Sequence, residues 1–154
     1  MKVIIIGGGI IGVSIAYHLA EAGVGEITLV EKEKMLGLGA TQYCSGGIRS
    51  QFTTPINVLF SKYALPDIYA LADIIDLKKY GYLILDMAAD SMTRVKMQRD
   101  LGIPVEYLMV NEVKSRFPYI NTDGVRSASF YGEDGIADPA ALLDFLDQFT
   151  NLEA

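Results

Sequence analysis

The sequence holds no tryptophan, one histidine and one cysteine in 154 residues. A lone Cys44 cannot close an internal disulfide, so nothing in the chain requires an oxidising compartment, and a cytoplasmic setting is the default. No His, Cys, Asp and Glu fall at metal-ligand spacing, and no Ser–His–acid set assembles around His18. Positive charge is in deficit: 13 Lys and Arg stand against 19 Asp and Glu, a formal net charge of -6. That balance excludes a general nucleic-acid or anionic-membrane surface, which needs concentrated basic residues, while leaving room for a local basic pocket. Internal repeats and low-complexity linkers are absent. With 51% hydrophobic and 21% charged residues, the chain has the composition of a globular domain with one ordinary core.

A continuous apolar span is also missing. Residues 3–20 carry no Asp, Glu, Lys or Arg, yet four glycines interrupt the run and no clear small-x-small cleavage pattern follows. The buried parallel strand and helix of a βαβ unit give the same hydropathy, so neither a membrane helix nor a signal peptide is expected.

What the run does contain is Val3-Ile-Ile-Ile-Gly7-Gly-Gly9-Ile10-Ile-Gly12, a β-prone stretch entering a glycine cluster at G-x-G-x-x-G spacing. The spacing suits a dinucleotide: Gly7 allows the sharp turn, Gly9 lets backbone approach a pyrophosphate, and Gly12 lets helix and strand pack closely. The pyrophosphate then meets a helix N-terminus, where unpaired N–H groups and the dipole favour negative charge. The pattern predicts strand Lys2–Ile6, a helix from about Ile10 to Ala22, a break at Gly23-Val-Gly25, and strand Glu26–Val30. Ala16 and Leu19 continue the inward helical face begun at Gly12, and Glu21 falls near solvent. Glu31 follows 19 residues after Gly12, at the end of the second strand. An acidic side chain there accepts hydrogen bonds from an adenosine ribose and disfavours a 2′-phosphate. Glycines at this spacing also occur in ordinary turns; the strand, helix, strand and terminal acid supply the context that makes the motif informative.

From Gly37 to Gly47 small residues, hydroxyls and glycines dominate where a nicotinamide-binding domain would start another short helix and strand. Such a segment can lie against a cofactor with its N–H groups exposed, or be an exposed flexible loop. Beyond Phe52 a smaller α+β region is expected. Thr53-Thr54-Pro55 starts a helix through Ile56–Leu71, with a cap hydroxyl and Pro in the first turn. Strand Tyr80–Leu85 follows, then a helix from about Ser91 to Leu101 closed by Gly102 and Pro104. Strand Val105–Met109 leads to a helix capped by Asn111 and ending near Phe117-Pro118, and Ser127–Tyr131 is a further strand. Asp134-Gly135 turns the chain, and Asp138-Pro139 caps and opens a last helix, whose Asp144 and Asp147 read as its solvated face. Tyr80, Tyr82, Phe130 and Tyr131 can line a substrate cavity, although aromatic residues on short strands more often belong to a core. Cys44 reads as a small buried residue with no sign of an activated thiolate, and His18 as a packing residue of the first helix.

The run Lys2–Arg49 resembles the N-terminal part of FAD-dependent amine and amino-acid oxidoreductases of the D-amino-acid oxidase, glycine oxidase and sarcosine oxidase group. Gly39-Ala-Thr-Gln-Tyr-Cys-Ser-Gly-Gly-Ile-Arg-Ser-Gln-Phe52 looks most like the β subunits of L-proline dehydrogenase and heteromeric sarcosine oxidase. The likeness continues through Tyr80–Leu85, Leu101–Val105, Arg116–Pro118 and Asp134–Pro139. It implies an α/β chain: a Rossmann-like FAD-binding βαβ unit in residues 1–52, part of an α+β substrate or cap domain inserted after it in 53–134, and a return helix in 135–154. The cofactor implied is FAD and the substrate a small amine or amino acid. Gly7, Gly9, Ile10 and Gly12 would hold the pyrophosphate, Glu31 with Lys32 the ribose, and Gly39, Ala40 and Thr41 a second cofactor contact. Gly46, Gly47, Ile48 and Arg49 would run beside the isoalloxazine, with Arg49 the tentative catalytic group, a cation for the anionic reduced flavin, or else a structural ion pair. No other catalytic residue and no metal ligand is assigned. Because the resembled enzymes are more than twice this long, the chain is expected to be an N-terminal fragment, a truncated product or half of a split enzyme. By itself it is expected to be inactive, needing a partner subunit or self-association to complete the site. Two further readings stand beside this one: a non-catalytic flavin-binding or assembly module, and an NAD-binding Rossmann domain.

Overall fold

The computed structural model describes residues 1–88 and 91–150. In chain order its elements are β1 (Lys2–Ile6), α1 (Ile10–Glu21), β2 (Glu26–Val30), a 3₁₀ turn (Ala40–Tyr43), β3 (Gly47–Ile48), α2 (Pro55–Ala70), β4 (Tyr82–Asp86), α3 (Met92–Asp100), β5 (Glu106–Met109), α4 (Val110–Arg116), β6 (Ser127–Tyr131), β7 (Gly135–Ile136) and α5 (Pro139–Thr150). They fall into two units. Of the described residues, one holds 1–46, 71–77 and 137–150, the other 47–70, 78–88 and 91–136. The short segment 71–77 joins the first unit through the Asp138 N–H, which donates to the Ile75 carbonyl at 2.7 Å.

In the first unit β1 and β2 pair in parallel, with Lys2 opposite Glu26 through Ile6 opposite Val30. Strand alternation sends Ile5 and Leu29 to one face, where Val13 and Ala16 of α1 and Leu143 and Leu146 of α5 close over them. Leu143 and Leu146 lie three residues apart, one stripe of an amphipathic helix. Asp138 caps that helix as expected, its Oδ1 accepting the N–H groups of Ala140 at 2.8 Å and Ala141 at 3.2 Å. Ile4, Ile6 and Val30 alternate to the other face and are exposed, so these strands are half-covered, where the hydropathy of the run suggested burial on both faces. His18 is also exposed, with its ring edge-on to Tyr17, because its position on α1 faces away from the stripe that packs on Ile5. Cys44 is exposed as well: the 3₁₀ turn buries Thr41 and leaves Cys44 outside.

In the second unit β6 is the centre of an antiparallel sheet ordered β4-β6-β5. Ala128 and Phe130 face Leu108, Val113, Leu83, Leu85 and Phe117. Ser127 and Ser129 face the other way and are fully buried, so this side of the sheet is polar and must be matched by polar partners. Helix α3 and Ser91 just before it supply them: the Ser91 and Ser127 hydroxyls lie 3.0 Å apart, and Arg94 donates to Ser129 at 3.1 Å and to both oxygens of Asp86 at 2.8 and 2.6 Å. A further apolar cluster of Val58 and Leu65 from α2 with Val95, Ile103 and Val105 fixes the two helices. Two elements differ from the sequence expectation. Helix α4 starts at Val110 rather than after an Asn111 cap, because the Glu112 carboxylate reaches back to accept the Met109 N–H at 2.7 Å and continues β5 directly into the helix. Tyr80 stands outside β4 and is exposed, because the Gly81 N–H is diverted to the Asp134 carbonyl at 2.8 Å.

Candidate functional site

The glycine cluster of the first unit forms a tight strand-to-helix turn. Gly7 has φ 107°, a conformation closed to side chains with a Cβ, and its N–H continues the ladder by donating to the Val30 carbonyl at 2.8 Å. A Cβ at Gly12 would collide with the Gly7 carbonyl, so the helix can lie this close to the strand only without one. Gly9 is the N-cap residue of α1 and offers no side-chain cap. The first intrahelical bond is Val13 N–H to the Gly9 carbonyl at 3.0 Å. The Ile10 N–H donates to the Thr41 Oγ1 at 3.0 Å, and the N–H groups of Ile11 and Gly12 have no partner among the described residues. Donors left open at a helix N-terminus are what a diphosphate requires.

Thr41 reaches this position because the Gly37 N–H donates to the Gly8 carbonyl at 2.9 Å, pulling the small-residue loop over the turn. Thr41 is buried and accepts from Ile10, while its own hydroxyl hydrogen remains a donor. Gly39 and Ala40 lead into the same 3₁₀ turn and are exposed. Gly46 closes the loop: its carbonyl accepts the Ala137 N–H at 2.9 Å, and a Cβ there would strike the Ala137 carbonyl.

Glu31 sits at the end of β2 with its carboxylate turned toward the turn. One oxygen accepts the Gly8 N–H at 2.6 Å, and the other accepts the N–H groups of Lys32 at 2.7 Å and Glu33 at 3.0 Å. The Glu33 and Gly8 amides, foremost, hold its carboxyl below the usual range, against a smaller opposing effect of burial. An ionised acceptor is thereby fixed beside the glycine turn. Lys32 is exposed and pairs with Glu33 at 3.5 Å. The structure therefore brings together Gly7, Gly9, Ile10, Gly12, Glu31 and Thr41 in one unit, with Lys32, Gly39, Ala40 and Gly46 on the same unit, while Gly47, Ile48 and Arg49 belong to the second. Sequence reasoning passed over Gly8, whose N–H orients Glu31 and whose Cβ would strike Leu36; only the identity of three consecutive glycines hinted at it.

In the second unit Gly47 and Ile48 pair with Ile136 and Gly135 in a two-residue antiparallel ribbon. Arg49 follows, exposed, with its guanidinium 4.6 Å from the centre of the Phe52 ring. The next two residues, Ser50 and Gln51, are buried on the carboxylate of Asp134, which is fully buried. Burial pushes the Asp134 carboxyl up, against the pull of the Ser50 and Gln51 donors and the Arg49 charge. Nearby, burial also raises the Tyr69 and Tyr131 phenols, and the Tyr69 hydroxyl donates to the Glu133 carbonyl at 3.2 Å. Phe130 is a core residue, and Tyr131 packs beside the α2–α3 cluster, which assigns both to packing. Among the described residues no group of His, Cys, Asp and Glu could hold a metal ion, and no helix is long and apolar enough to cross a membrane.

A parallel strand pair, a glycine turn without room for a Cβ, open helix amides and an acid at the second strand's end define a dinucleotide-binding α/β protein. The chain belongs to the DAO family, described as FAD dependent oxidoreductase, whose sequence pattern matches residues 2–150. FAD is thus its family's cofactor, and the clamp fits that group. Among curated relatives, FAD-dependent oxidoreductase domain-containing protein 1 of Bos taurus is 36% identical over 162 residues, covering 94% of this chain and 33% of the relative. The mitochondrial dimethylglycine dehydrogenase of Homo sapiens is 28% identical over 150 residues, covering 92% of this chain and 17% of the relative. Among solved structures, L-proline dehydrogenase from P. horikoshii superposes with a TM-score of 0.83 at 29% identity, covering 99% of this chain and 42% of that one. The chain thus spans about a third of the bovine relative and less than half of the proline dehydrogenase.

Proposed function

We propose that this chain is the N-terminal FAD-binding part of a flavin-dependent oxidoreductase that converts a secondary amine or amino acid, of the sarcosine, proline or glycine kind, to an imine. The observation that carries the reading is the clamp: open amides at Ile11 and Gly12, the Thr41 hydroxyl over the Ile10 N–H, and an ionised Glu31 beside the same turn. In this reading the backbone of Gly9–Gly12 and the Thr41 hydroxyl bind the diphosphate, and Glu31, with Lys32 beside it, accepts the ribose hydroxyls. Gly39 and Ala40 keep the loop thin against the cofactor, and Gly46, Gly47 and Ile48 carry the chain past it. FAD, when bound, supplies the acceptor for the hydride equivalent leaving the amine-bearing carbon. Arg49 provides positive charge for the negative charge that develops on that acceptor. The names of the relatives, a dimethylglycine dehydrogenase and an L-proline dehydrogenase, support the substrate class. Residues 53–134 serve as part of the substrate or cap domain, and the remainder of the site comes from the rest of a longer protein or from a partner subunit. The cytoplasmic assignment rests on the single unpaired cysteine.

The test is the flavin content of the purified full-length protein, followed by anaerobic addition of sarcosine, L-proline or glycine. Near-stoichiometric FAD that bleaches with one of these amines is expected. FAD retained but reduced by no amine would replace this reading with a flavin-binding assembly module, and tight NAD binding without affinity for FAD would overturn it altogether.

A further inference from the structure

The clamp does not use Asp134 of the second unit, whose carboxylate accepts three hydrogen bonds. Asp134 is fully buried; its Oδ1 accepts the Ser50 N–H at 2.8 Å and the Ser50 hydroxyl at 2.7 Å, and its Oδ2 accepts Gln51 Nε2 at 3.3 Å. The same Gln51 nitrogen donates to the Tyr82 carbonyl at 2.7 Å. Neighbouring backbone is pinned from other elements. The Ser61 hydroxyl of α2 donates to the Arg49 carbonyl at 3.0 Å, and Gln98 Nε2 of α3 donates to the Phe52 carbonyl at 2.8 Å. The Phe52 N–H in turn donates to the Ser50 carbonyl at 2.9 Å. Every residue of the segment 49–52 is therefore tied, and the one side chain left in solvent is that of Arg49, lying over the Phe52 ring at 4.6 Å.

An exposed arginine on a free loop would spread over many rotamers, and part of that freedom must be lost when it engages an anion. Here the backbone on both sides is fixed, and an aromatic face holds the guanidinium. Tying a loop does not by itself require a buried charge, since a neutral acceptor avoids most of the desolvation cost. A carboxylate behind the segment instead offers two oxygens that together accept the Ser50 N–H, the Ser50 hydroxyl and Gln51 Nε2. We propose that Asp134 is the positioning residue for Arg49: through Ser50 and Gln51 it fixes the segment so that the guanidinium is presented, pre-organised, to an anionic group. This rests on the reading of Arg49 as the cation that serves the flavin.

The test uses the full-length holoprotein and sulfite, a small anion that adds reversibly to oxidised flavin and whose affinity reports positive charge beside it. Arg49→Met, Asp134→Asn and the double variant are titrated by the loss of visible flavin absorbance. Arg49→Met should weaken sulfite binding by about tenfold, as for loss of one charge-assisted contact. Asp134→Asn, which keeps the shape but turns an amide NH2 toward Gln51 Nε2, should weaken it several-fold. In the double variant the Asp134→Asn effect should vanish, because its only route is through Arg49. If Asp134→Asn fails to fold, Ser50→Ala, which removes only the hydroxyl tether, replaces it in the cycle. An equal loss from the Asp134 or Ser50 variant in the Arg49→Met background, or no effect of Arg49→Met, overturns the inference while leaving FAD binding intact. A protein that holds no FAD overturns the functional reading and this inference together.

Discussion

Replacing Gly12 by alanine opposes two effects of known size at one atom. Alanine in a helix is better than glycine by at most about 1 kcal/mol, which would stabilise α1. The added methyl, however, points into the Gly7 carbonyl, and its next neighbour is Ile5 Cγ2 at 3.4 Å. Neither can yield easily: the Gly7 N–H is held by the Val30 carbonyl at 2.8 Å, and Ile5 is part of the buried cluster with Val13 and Ala16. Overpacking against groups that cannot rotate away costs about 1–3 kcal/mol, and a backbone obstacle places this site at the upper end. The net expectation is a loss of about 2 kcal/mol in urea unfolding of the apoprotein, from the difference of the two effects. Displacement of α1 also moves the open amides of Ile11 and Gly12, so FAD should bind at least about tenfold more weakly, equivalent to 1.4 kcal/mol. Gly25→Ala is the control, since no atom lies within 4 Å of a Cβ there. Wild-type stability and wild-type FAD affinity for Gly12→Ala, measured beside that control, would refute the packing argument.

Three more outcomes follow from single contacts. Thr41→Val leaves the Ile10 N–H without its 3.0 Å acceptor and should cost about 1–3 kcal/mol, with flavin lost on gel filtration; Thr41→Ser should restore retention, and full retention by the valine variant would count against the contact. Arg94→Met strands the Asp86 carboxylate and the Ser129 hydroxyl beneath α3 and should destabilise the second unit by about 3 kcal/mol in urea, a loss that a surface pair would not produce. Asp134 has its carboxyl raised above the ordinary 3.8 by burial, so its contribution to stability is fully present below that pH and fades as pH rises through the folded value. The stability of wild type relative to Asp134→Asn should therefore decline from acid toward neutral pH; a difference that grows with pH would contradict the shift. The groups acting on Asp134 in that titration are Arg49, Ser50 and Gln51, with Tyr69 and Tyr131 nearby.

Local signals in the sequence were enough for the strand, turn and helix that open the first unit, because hydrophobic periodicity and glycine spacing are carried by neighbours in the chain. Strand β1 has its expected limits, α1 ends one residue early, and the Asp138-Pro139 start of α5 has the capping bonds its residue types demand. Where the outcome depended on a partner remote in sequence, pattern reading went astray. One miss was local: Asn111 is a better intrinsic cap than Met109, yet Glu112, only three residues on, accepts the Met109 N–H and moves the helix start. Cys44 has a residue type that is usually buried, but the loop that carries it is anchored by Thr41 and Gly46, which leaves it outside. Ile4 and Ile6 match a strand buried on both faces, whereas α1 and α5 cover only the face of Ile5.

Glu31 and Asp134 mark this boundary for charged groups. Both are acids beside a glycine-containing turn, and residue type alone does not separate them. The difference arises from what meets them. Glu31 takes two of its three hydrogen bonds from the adjacent amides of Lys32 and Glu33, so its orientation is encoded by position at the end of β2, and its carboxyl is held down. Asp134 takes its bonds from Ser50 and Gln51, more than eighty residues earlier, and burial there pushes its carboxyl up. A local motif can therefore assign the first, whereas the second becomes visible only when the fold has brought the Arg49–Phe52 segment onto the turn before β7.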